Sequence, residues 1–281
     1  MLYFDRFSHY GAIFSHENWG IFGECKGLKD EETQVAESPG AGIVLAYPVT
    51  KEDAKSTKAL KHRKGLSLSI YRWLKIGRCA GLAPAIRGEL DEVGFAKLWN
   101  YPDKCEIVHY VCPVFQEEDK ETTAALDVLT DAYLRIFRAF AEAEGKVLRM
   151  APVGAGATAG SLRDKLHYLT PQAVTTAFMN LEDDVVESML AQGKQVQICI
   201  WEAREQRTYG VEFDLELRLC EEEAVRARER LISLEKGLWP ASDLPPRPLR
   251  EEGVPVEEAD PPLGAVGSGG KRKSEEAEKR G

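Results

Sequence analysis

The sequence alternates between short apolar runs and longer segments with helical periodicity. Continuous apolar runs, rich in β-branched residues, lie at about 43–47, 107–114, 147–152 and 196–201. Uninterrupted runs of this kind are typical of strands that are buried on both faces of a parallel sheet. Because helical segments lie between them, the order predicts an α/β fold of three layers, in which helices cover both faces of a mixed, mainly parallel sheet.

The longest helical pattern runs from Glu121 to Glu144 and ends at Gly145. Its apolar residues recur at intervals of three and four, which predicts one buried face. Thr50 and Thr170 are suitable N-cap residues, and Pro171 suits the first position of a helix, so helices are predicted after each threonine. The same spacing predicts helices after Gly65 and over 161–169, 171–181 and 182–192.

Two segments are predicted to form less regular strands. Residues 13–14 and 19–22 are apolar and flank a polar turn, which predicts a hairpin or two edge strands. Partial alternation of apolar and polar residues from Tyr209 to Leu219 predicts one further strand. Pro48 is expected to end the strand at 43–47, because proline lacks a backbone donor.

Composition divides the chain into three parts. Residues 1–218 form the predicted domain, 219–239 a charged terminal helix, and 240–281 a tail with Pro-Pro pairs, Gly-Ser-Gly-Gly and dense charge. Such a tail buries too little apolar surface to fold, so disorder is predicted there. Its basic block, Lys271-Arg272-Lys273, is a hypothetical nuclear import signal.

Charge and cysteine usage exclude several classes of protein. The formal net charge is −9, from 46 acidic and 37 basic residues, which argues against broad electrostatic binding of nucleic acid. No apolar run reaches the roughly 18 residues of a membrane span, so no membrane partner is expected. The six cysteines are scattered without a C-x2-C pair. This pattern predicts reduced thiols, no metal site and an intracellular protein, either nuclear or cytoplasmic.

The segment Lys146–Gly160, KVLRMAPVGAGATAG, is the main candidate for a binding site. It begins as a strand, turns at Pro152 and continues with three glycines separated by small residues. Glycine lets a ligand approach the main chain closely, so the backbone N–H groups of such a loop can bind an anion such as a diphosphate. The alternative is a turn whose small residues pack against the loop's own helix.

The order of motifs resembles the macrodomain family of ADP-ribose-binding modules. Ile107-Val108-His109-Tyr110-Val111-Cys112-Pro113 is similar to that family's V-I-H-x-V-G-P strand, and Met150-Ala151-Pro152-Val153-Gly154-Ala155-Gly156 is similar to the start of its F-P-x-I-G-T-G-x-x-G loop. The helix between these motifs and the strand at 196–201 also fall in the expected order. The resemblance covers about residues 12–215 and implies a macrodomain-like fold.

The resemblance also implies a set of ligand contacts. The loop amides would hold the phosphates, and Glu24 would accept a hydrogen bond from the adenine amino group. Tyr47 lies near the position of the family's asparagine-rich strand end, N-A-A-N, and Gly65 is the one glycine left near the position of its G-G-G-V-D-G-A-I loop. The implied ligand-binding residues are therefore Gly154, Ala155, Gly156, Ala157, Thr158, Glu24, Tyr47 and Gly65.

Three functions follow from these observations. The first is a divergent macrodomain-like module that binds ADP-ribose, an ADP-ribosylated protein or a related nucleotide diphosphate, without a cofactor and without efficient catalysis. The second is a scaffold that has lost the pocket and contacts another protein through its N-terminal aromatic residues or its terminal helix. The third is an ADP-ribosyl hydrolase with His109 and Glu24 as nominal catalytic groups, although a lone strand histidine is more often a hydrogen-bonded core residue.

Overall fold

The computed structural model describes residues 5–22, 40–51, 54, 66, 69–70, 73–74, 84–90, 92–102, 104–116 and 122–236. These residues all belong to the unit that spans Met1–Trp239. Glu24, Gly65, the basic block at 271–273 and the predicted tail at 240–281 lie outside the described residues.

The described elements follow the predicted alternation of strands and helices. The strands are β1 (Phe14–Glu17), β2 (Ile43–Val49), β3 (Ala96–Asn100), β4 (Glu106–Val111), β5 (Val147–Met150) and β6 (Gln195–Cys199). The helices are α1 (Asp5–Ile13), α2 (Pro84–Arg87), α3 (Thr122–Ala141), α4 (Leu166–Met179), α5 (Asp183–Ala191) and α6 (Ala203–Glu235). Two 3₁₀ turns, Gly156–Thr158 and Gly160–Lys165, precede α4.

The six strands form one mixed sheet in the order β1-β6-β5-β2-β4-β3. Neighbouring strands are parallel from β1 to β4, and β3 is antiparallel to β4 at one edge. The carboxyl ends of β2, β4, β5 and β6 therefore meet at one edge of the sheet. In open α/β sheets, ligands bind at this edge.

Each face of the sheet has its own hydrophobic core. One core lies beneath α1, α3, α4, α5 and α6, and its strand residues include Val44, Val108, Leu148 and Ile198. The other core contains the alternate strand residues, together with apolar side chains from the segment between β2 and β3. Its members include Leu45, Tyr47, Ile107, Ala54, Ile70, Leu74 and Ile86. The predicted three-layer α/β fold is thereby confirmed.

A buried lysine closes the carboxyl end of α3. Lys194 is 1% exposed, and its ammonium donates to the carbonyls of Phe140, Ala143 and Gly145, at 3.4 Å for Phe140 and 2.9 Å for Gly145. Ala143 and Gly145 follow α3, which ends at Ala141, so the ammonium satisfies buried carbonyls in the turn after the helix. The Glu106 carboxylate also holds this turn, because it accepts a hydrogen bond from the Gly145 N–H at 2.7 Å.

A buried arginine ties α1 to the junction between α4 and α5. Arg6 donates to the carbonyls of Met179 and Leu181 at 2.8 and 2.5 Å, and it pairs with the Asp183 carboxylate at 2.6 Å. The guanidinium hydrogen bond holds the pKa of Asp183 below its usual range. The first helix of the chain is therefore bonded to backbone groups more than 170 residues later.

Several details differ from the sequence predictions. Residues 5–13 form a helix followed by one edge strand, and residues 18–22 are not a strand. Pro48 lies within β2, opposite Tyr110. Pro171 lies inside α4, whose buried face continues through Leu169, Ala173 and Val174 and offsets the missing backbone donor.

The segment predicted as a last strand, 209–219, lies instead within α6. Its buried residues Tyr209, Phe213, Glu216 and Cys220 recur at intervals of four and three, which is a helical period. This helix is continuous across the predicted boundary at residues 218 and 219.

Within the described residues, no helix is both long enough and apolar enough to cross a membrane.

Candidate ligand site

The candidate site is the loop that follows β5 at the carboxyl edge of the sheet. It comprises residues 151–160, called here the glycine loop, and it leads through the second 3₁₀ turn into α4. The segment after β4, residues 112–116, lies beside it, because β4 ends at the same edge. The strand order therefore brings together the two motifs that carry the macrodomain resemblance.

Two buried side chains hold the start of the glycine loop. The hydroxyl of Tyr133, from α3, accepts a hydrogen bond from the Val153 N–H at 2.9 Å. The thiol of Cys112 donates to the Pro113 carbonyl at 3.4 Å and lies 3.7 Å from the hydroxyl oxygen of Thr158. Burial raises the pKa of both Tyr133 and Cys112, so both groups stay protonated near neutral pH. These protonated groups are structural anchors for the loop.

Phe115 fills the space beside two of the loop glycines. A Cβ on Gly154 would lie 2.8 Å from the Phe115 ring, and a Cβ on Gly160 would lie 1.8 Å from the Phe115 carbonyl oxygen. The Phe115 N–H also donates to the Thr158 carbonyl at 2.9 Å. At these positions glycine permits close packing of two chain segments, which agrees with the packed-turn alternative, although the partner is the segment after β4 and not the loop's own helix.

The tip of the loop has a different environment. Gly156 and Ala157 are exposed, and a Cβ on Gly156 would have no atom within 4 Å. They begin a 3₁₀ turn, and the first N–H groups of a helix have no partner within it. The exposed guanidinium of Arg163 donates to the Gly156 carbonyl at 3.1 Å, which brings a positive charge next to these amides.

The predicted site residues are thus divided between buried and exposed environments. The amide of Ala155 donates to the Pro152 carbonyl, and the hydroxyl of Thr158 donates to the Ala155 carbonyl. Tyr47 is fully buried in the second core, where its ring packs edge-on against His109, so it presents no exposed surface at this edge. Glu24 and Gly65 lie outside the described residues.

His109 is the buried, hydrogen-bonded strand residue that the sequence predicts. It is 0% exposed, and its Nε2 lies 3.0 Å from the hydroxyl oxygen of Tyr101. A histidine without solvent access cannot exchange protons with a substrate at the glycine loop. The structure therefore gives it a role in packing.

Four residues at the site are missing from the sequence-based set: Cys112, Phe115, Tyr133 and Arg163. The helical pattern identifies Tyr133 only as one member of an apolar face. Its hydroxyl is the available signal, because a buried tyrosine usually needs a hydrogen-bond partner. Arg163 lies seven residues beyond Gly156, and only the two successive 3₁₀ turns bring its side chain back to the loop.

A second concave region lies at the opposite, amino edge of the sheet. It is an open cavity of about 450 Å³ whose lining includes Gly42, Tyr101, Lys104, Glu106 and Glu144. Among the residues that the structure describes, no three His, Cys, Asp or Glu side chains cluster closely enough to hold a metal ion. Among the described residues, the glycine loop does not line this cavity.

Comparison with solved structures finds macrodomains. A macrodomain from Trypanosoma brucei in complex with ADP has a TM-score of 0.45 and 10% identity, over 71% of this chain and 68% of its own. A mutant form of the Oceanobacillus iheyensis macrodomain has a TM-score of 0.42 and 10% identity, over 65% of this chain and 85% of its own. An alphavirus chain described as P23pro-zbd has a TM-score of 0.46 and 15% identity over 74% of this chain, which spans 24% of that chain's length.

The Trypanosoma brucei and Oceanobacillus iheyensis chains are described as macrodomains. No protein-family model matches the sequence, and no curated protein is significantly similar to it.

Proposed function

We propose that the protein is a divergent macrodomain-like module that binds ADP-ribose or a related nucleotide diphosphate and does not catalyse its turnover efficiently. One observation carries this proposal: the exposed residues Gly156 and Ala157, which begin a 3₁₀ turn, lie at the carboxyl edge of the parallel strands, next to the guanidinium of Arg163. Backbone N–H groups with a neighbouring cation suit the oxygens of a diphosphate. The resemblance in motif order supplies ADP-ribose as the ligand to test.

The lack of efficient catalysis is proposed from the described groups that surround the loop. Hydrolysis of an ADP-ribosyl bond needs a base or a polar group that positions water. Cys112 and Tyr133 are buried, and burial raises the pKa of each. His109 is enclosed between Tyr47 and Tyr101. None of these groups can activate a water molecule above the exposed loop.

Isothermal titration of the full chain with ADP-ribose tests the proposal. We expect saturable binding that weakens as salt is added, because screening reduces the attraction between Arg163 and the phosphates. A folded protein that gives no heat at millimolar ADP-ribose would rule the proposal out. Release of ADP-ribose from an ADP-ribosylated protein at a rate typical of enzymes would contradict the proposed lack of efficient catalysis.

A pair of variants at Ala157 tests where the ligand binds. Ala157 is exposed, so Ala157→Asp and Ala157→Asn should both fold, and they differ mainly in charge. At about 5 Å in a mostly aqueous environment, each like-charge pair costs roughly 1 kcal/mol, so the aspartate should weaken diphosphate binding about tenfold. The asparagine should stay within about threefold of the wild type. Equal affinities for the two variants would place the ligand elsewhere.

A second candidate function is a scaffold that contacts another protein. Two observations favour it: Phe115 fills part of the site, and α6 exposes Val211, Val225 and Ile232, which are 54%, 59% and 42% accessible. By contrast, the described N-terminal aromatics Phe7, Tyr10 and Phe14 belong to the core. This function would be favoured over ligand binding if ADP-ribose titrations give no heat and a stoichiometric partner binds the wild type but not Val225→Glu.

We further propose an intracellular location, nuclear or cytoplasmic. Cys105, Cys112, Cys199 and Cys220 are free thiols in the structure, which suits a reducing compartment. Fluorescence microscopy of a reporter fused to residues 240–281 tests the import hypothesis. A reporter that distributes evenly between nucleus and cytoplasm would remove the nuclear part of the proposal.

A further inference from the structure

We propose that Tyr133 is the positioning residue of the glycine loop, and that its hydroxyl sets the loop conformation on which ligand binding depends. This inference rests on the proposed function for its binding consequence. Its structural basis is one buried hydrogen bond, from the Val153 N–H to the Tyr133 hydroxyl oxygen at 2.9 Å. Both residues are 0% exposed.

The position of this bond gives it influence over the loop. β5 ends at Met150, so Val153 has already left the strand ladder. Gly154 follows immediately with φ at +77°, and two residues later the chain reaches the exposed tip. The backbone orientation at Val153 therefore helps to set where the amides of Gly156 and Ala157 point, together with the bonds that hold Ala155 and Thr158. No protein group other than Tyr133 accepts from the Val153 N–H among the described residues.

Tyr133 is well suited to act as a fixed acceptor. It lies in the middle of α3, on the face that packs against the sheet, and its ring lies 5.8 Å from that of Phe137. A residue on a packed helix cannot follow the loop if the loop moves. Removing the hydroxyl would leave the Val153 N–H buried without an acceptor, so the loop would shift or admit water.

Tyr133→Phe and Tyr10→Phe form the matched pair for the experiment. Both remove one hydroxyl from a tyrosine in the same core, but Tyr10 belongs to α1 and packs against Phe14, not against the loop. Hydrogen exchange of the full chain should show faster exchange over 153–158 in Tyr133→Phe only. ADP-ribose should bind this variant roughly tenfold more weakly, because loss of the bond favours a non-binding loop conformation by about 1.4 kcal/mol.

The outcomes separate this inference from the proposed function. If wild-type protein binds ADP-ribose and Tyr133→Phe binds within twofold of it, the positioning role is overturned, even if the variant melts at a lower temperature. If the wild type does not bind, the proposed function fails, and loop exchange alone decides: unchanged exchange in Tyr133→Phe overturns the inference, and faster exchange supports it. In the wild type, rapid exchange of the Val153 amide would overturn the inference without any variant.

Discussion

Replacing Lys194 by methionine tests how the carboxyl end of α3 is stabilised. The ammonium donates to three carbonyls at this end, and the side chain also contacts the ring of Phe140, with Nζ 4.9 Å from its centre. Methionine keeps much of the apolar stem and removes the donor. Lys194→Met therefore separates the hydrogen bonds from the packing.

The expected loss of stability follows from the three carbonyls. The Phe140 carbonyl also accepts from the Ala143 N–H at 3.0 Å, so it keeps a partner. The carbonyls of Ala143 and Gly145 lose the ammonium, and each unpaired buried group costs about 1–3 kcal/mol. Relief of the lysine's desolvation recovers part of this cost. We therefore expect a net loss of about 2–3 kcal/mol in the free energy of unfolding, or roughly 4–12 °C in Tm.

Urea unfolding of both proteins, followed by circular dichroism, measures this loss. Lys146→Met is the matched control, because Lys146 is an exposed lysine in the turn after α3, and it should change stability by less than about 0.5 kcal/mol. If Lys194→Met stays as close to the wild type as the control does, the buried hydrogen bonds contribute nothing net and the reasoning is refuted.

The same pair of proteins has a defined pH dependence. Burial lowers the pKa of Lys194 below its ordinary value near 10.5. Between the lowered pKa and 10.5, the unfolded chain holds a proton that the folded chain lacks, so wild-type stability rises with pH in that window. Lys194→Met lacks this contribution, and the gap between the two proteins should widen as the pH approaches 10.5. A gap that narrows there would contradict this account.

The remaining predictions concern an ion pair and a close contact. Arg6 lowers the pKa of Asp183, so this carboxylate stabilises the fold above its unfolded pKa, and the contribution is lost as the pH falls through the folded pKa. Urea midpoints should therefore show Asp183→Asn to be less stable than the wild type at pH 7. The difference should be gone well below pH 3.8. Equal midpoints at pH 7 would contradict this. Gly160→Ala should destabilise the protein by more than about 3 kcal/mol, because its Cβ would meet the Phe115 carbonyl. Gly193→Ala, which has a similar positive φ and open space around it, should cost only about 1–2 kcal/mol in chemical denaturation; similar losses for both would show that close contact is unimportant.

The sequence predicts the layered architecture well, because that part depends on local periodicity. The run around Val44 and the helix that contains Tyr133 bury faces set by periods of two and 3.6 residues, and both elements are found close to their predicted bounds. The prediction is wrong where one pattern suits two structures. The segment 209–219 has both partial alternation and helical spacing, and contacts with α1 and α4 decide in favour of the helix.

The candidate site is less predictable, because its shape depends on long-range contacts. The spacing of Gly154, Gly156 and Gly160 indicates a special backbone but not what each glycine faces. Two of them face Phe115, and one faces open space. That difference comes from a segment some 40 residues earlier in the chain, which the sheet order brings alongside.

The pairing of β1 with β6 has a consequence for synthesis of the chain on the ribosome. β1 cannot pair with β6 until residues 195–199 have been translated. The carbonyls that accept from Arg6, those of Met179 and Leu181, are also made late in translation. Contacts between such distant segments slow folding, since a long stretch of chain must first be confined. During translation the segment that contains α1 and β1, with its aromatic side chains, therefore stays uncovered until β6 has been made.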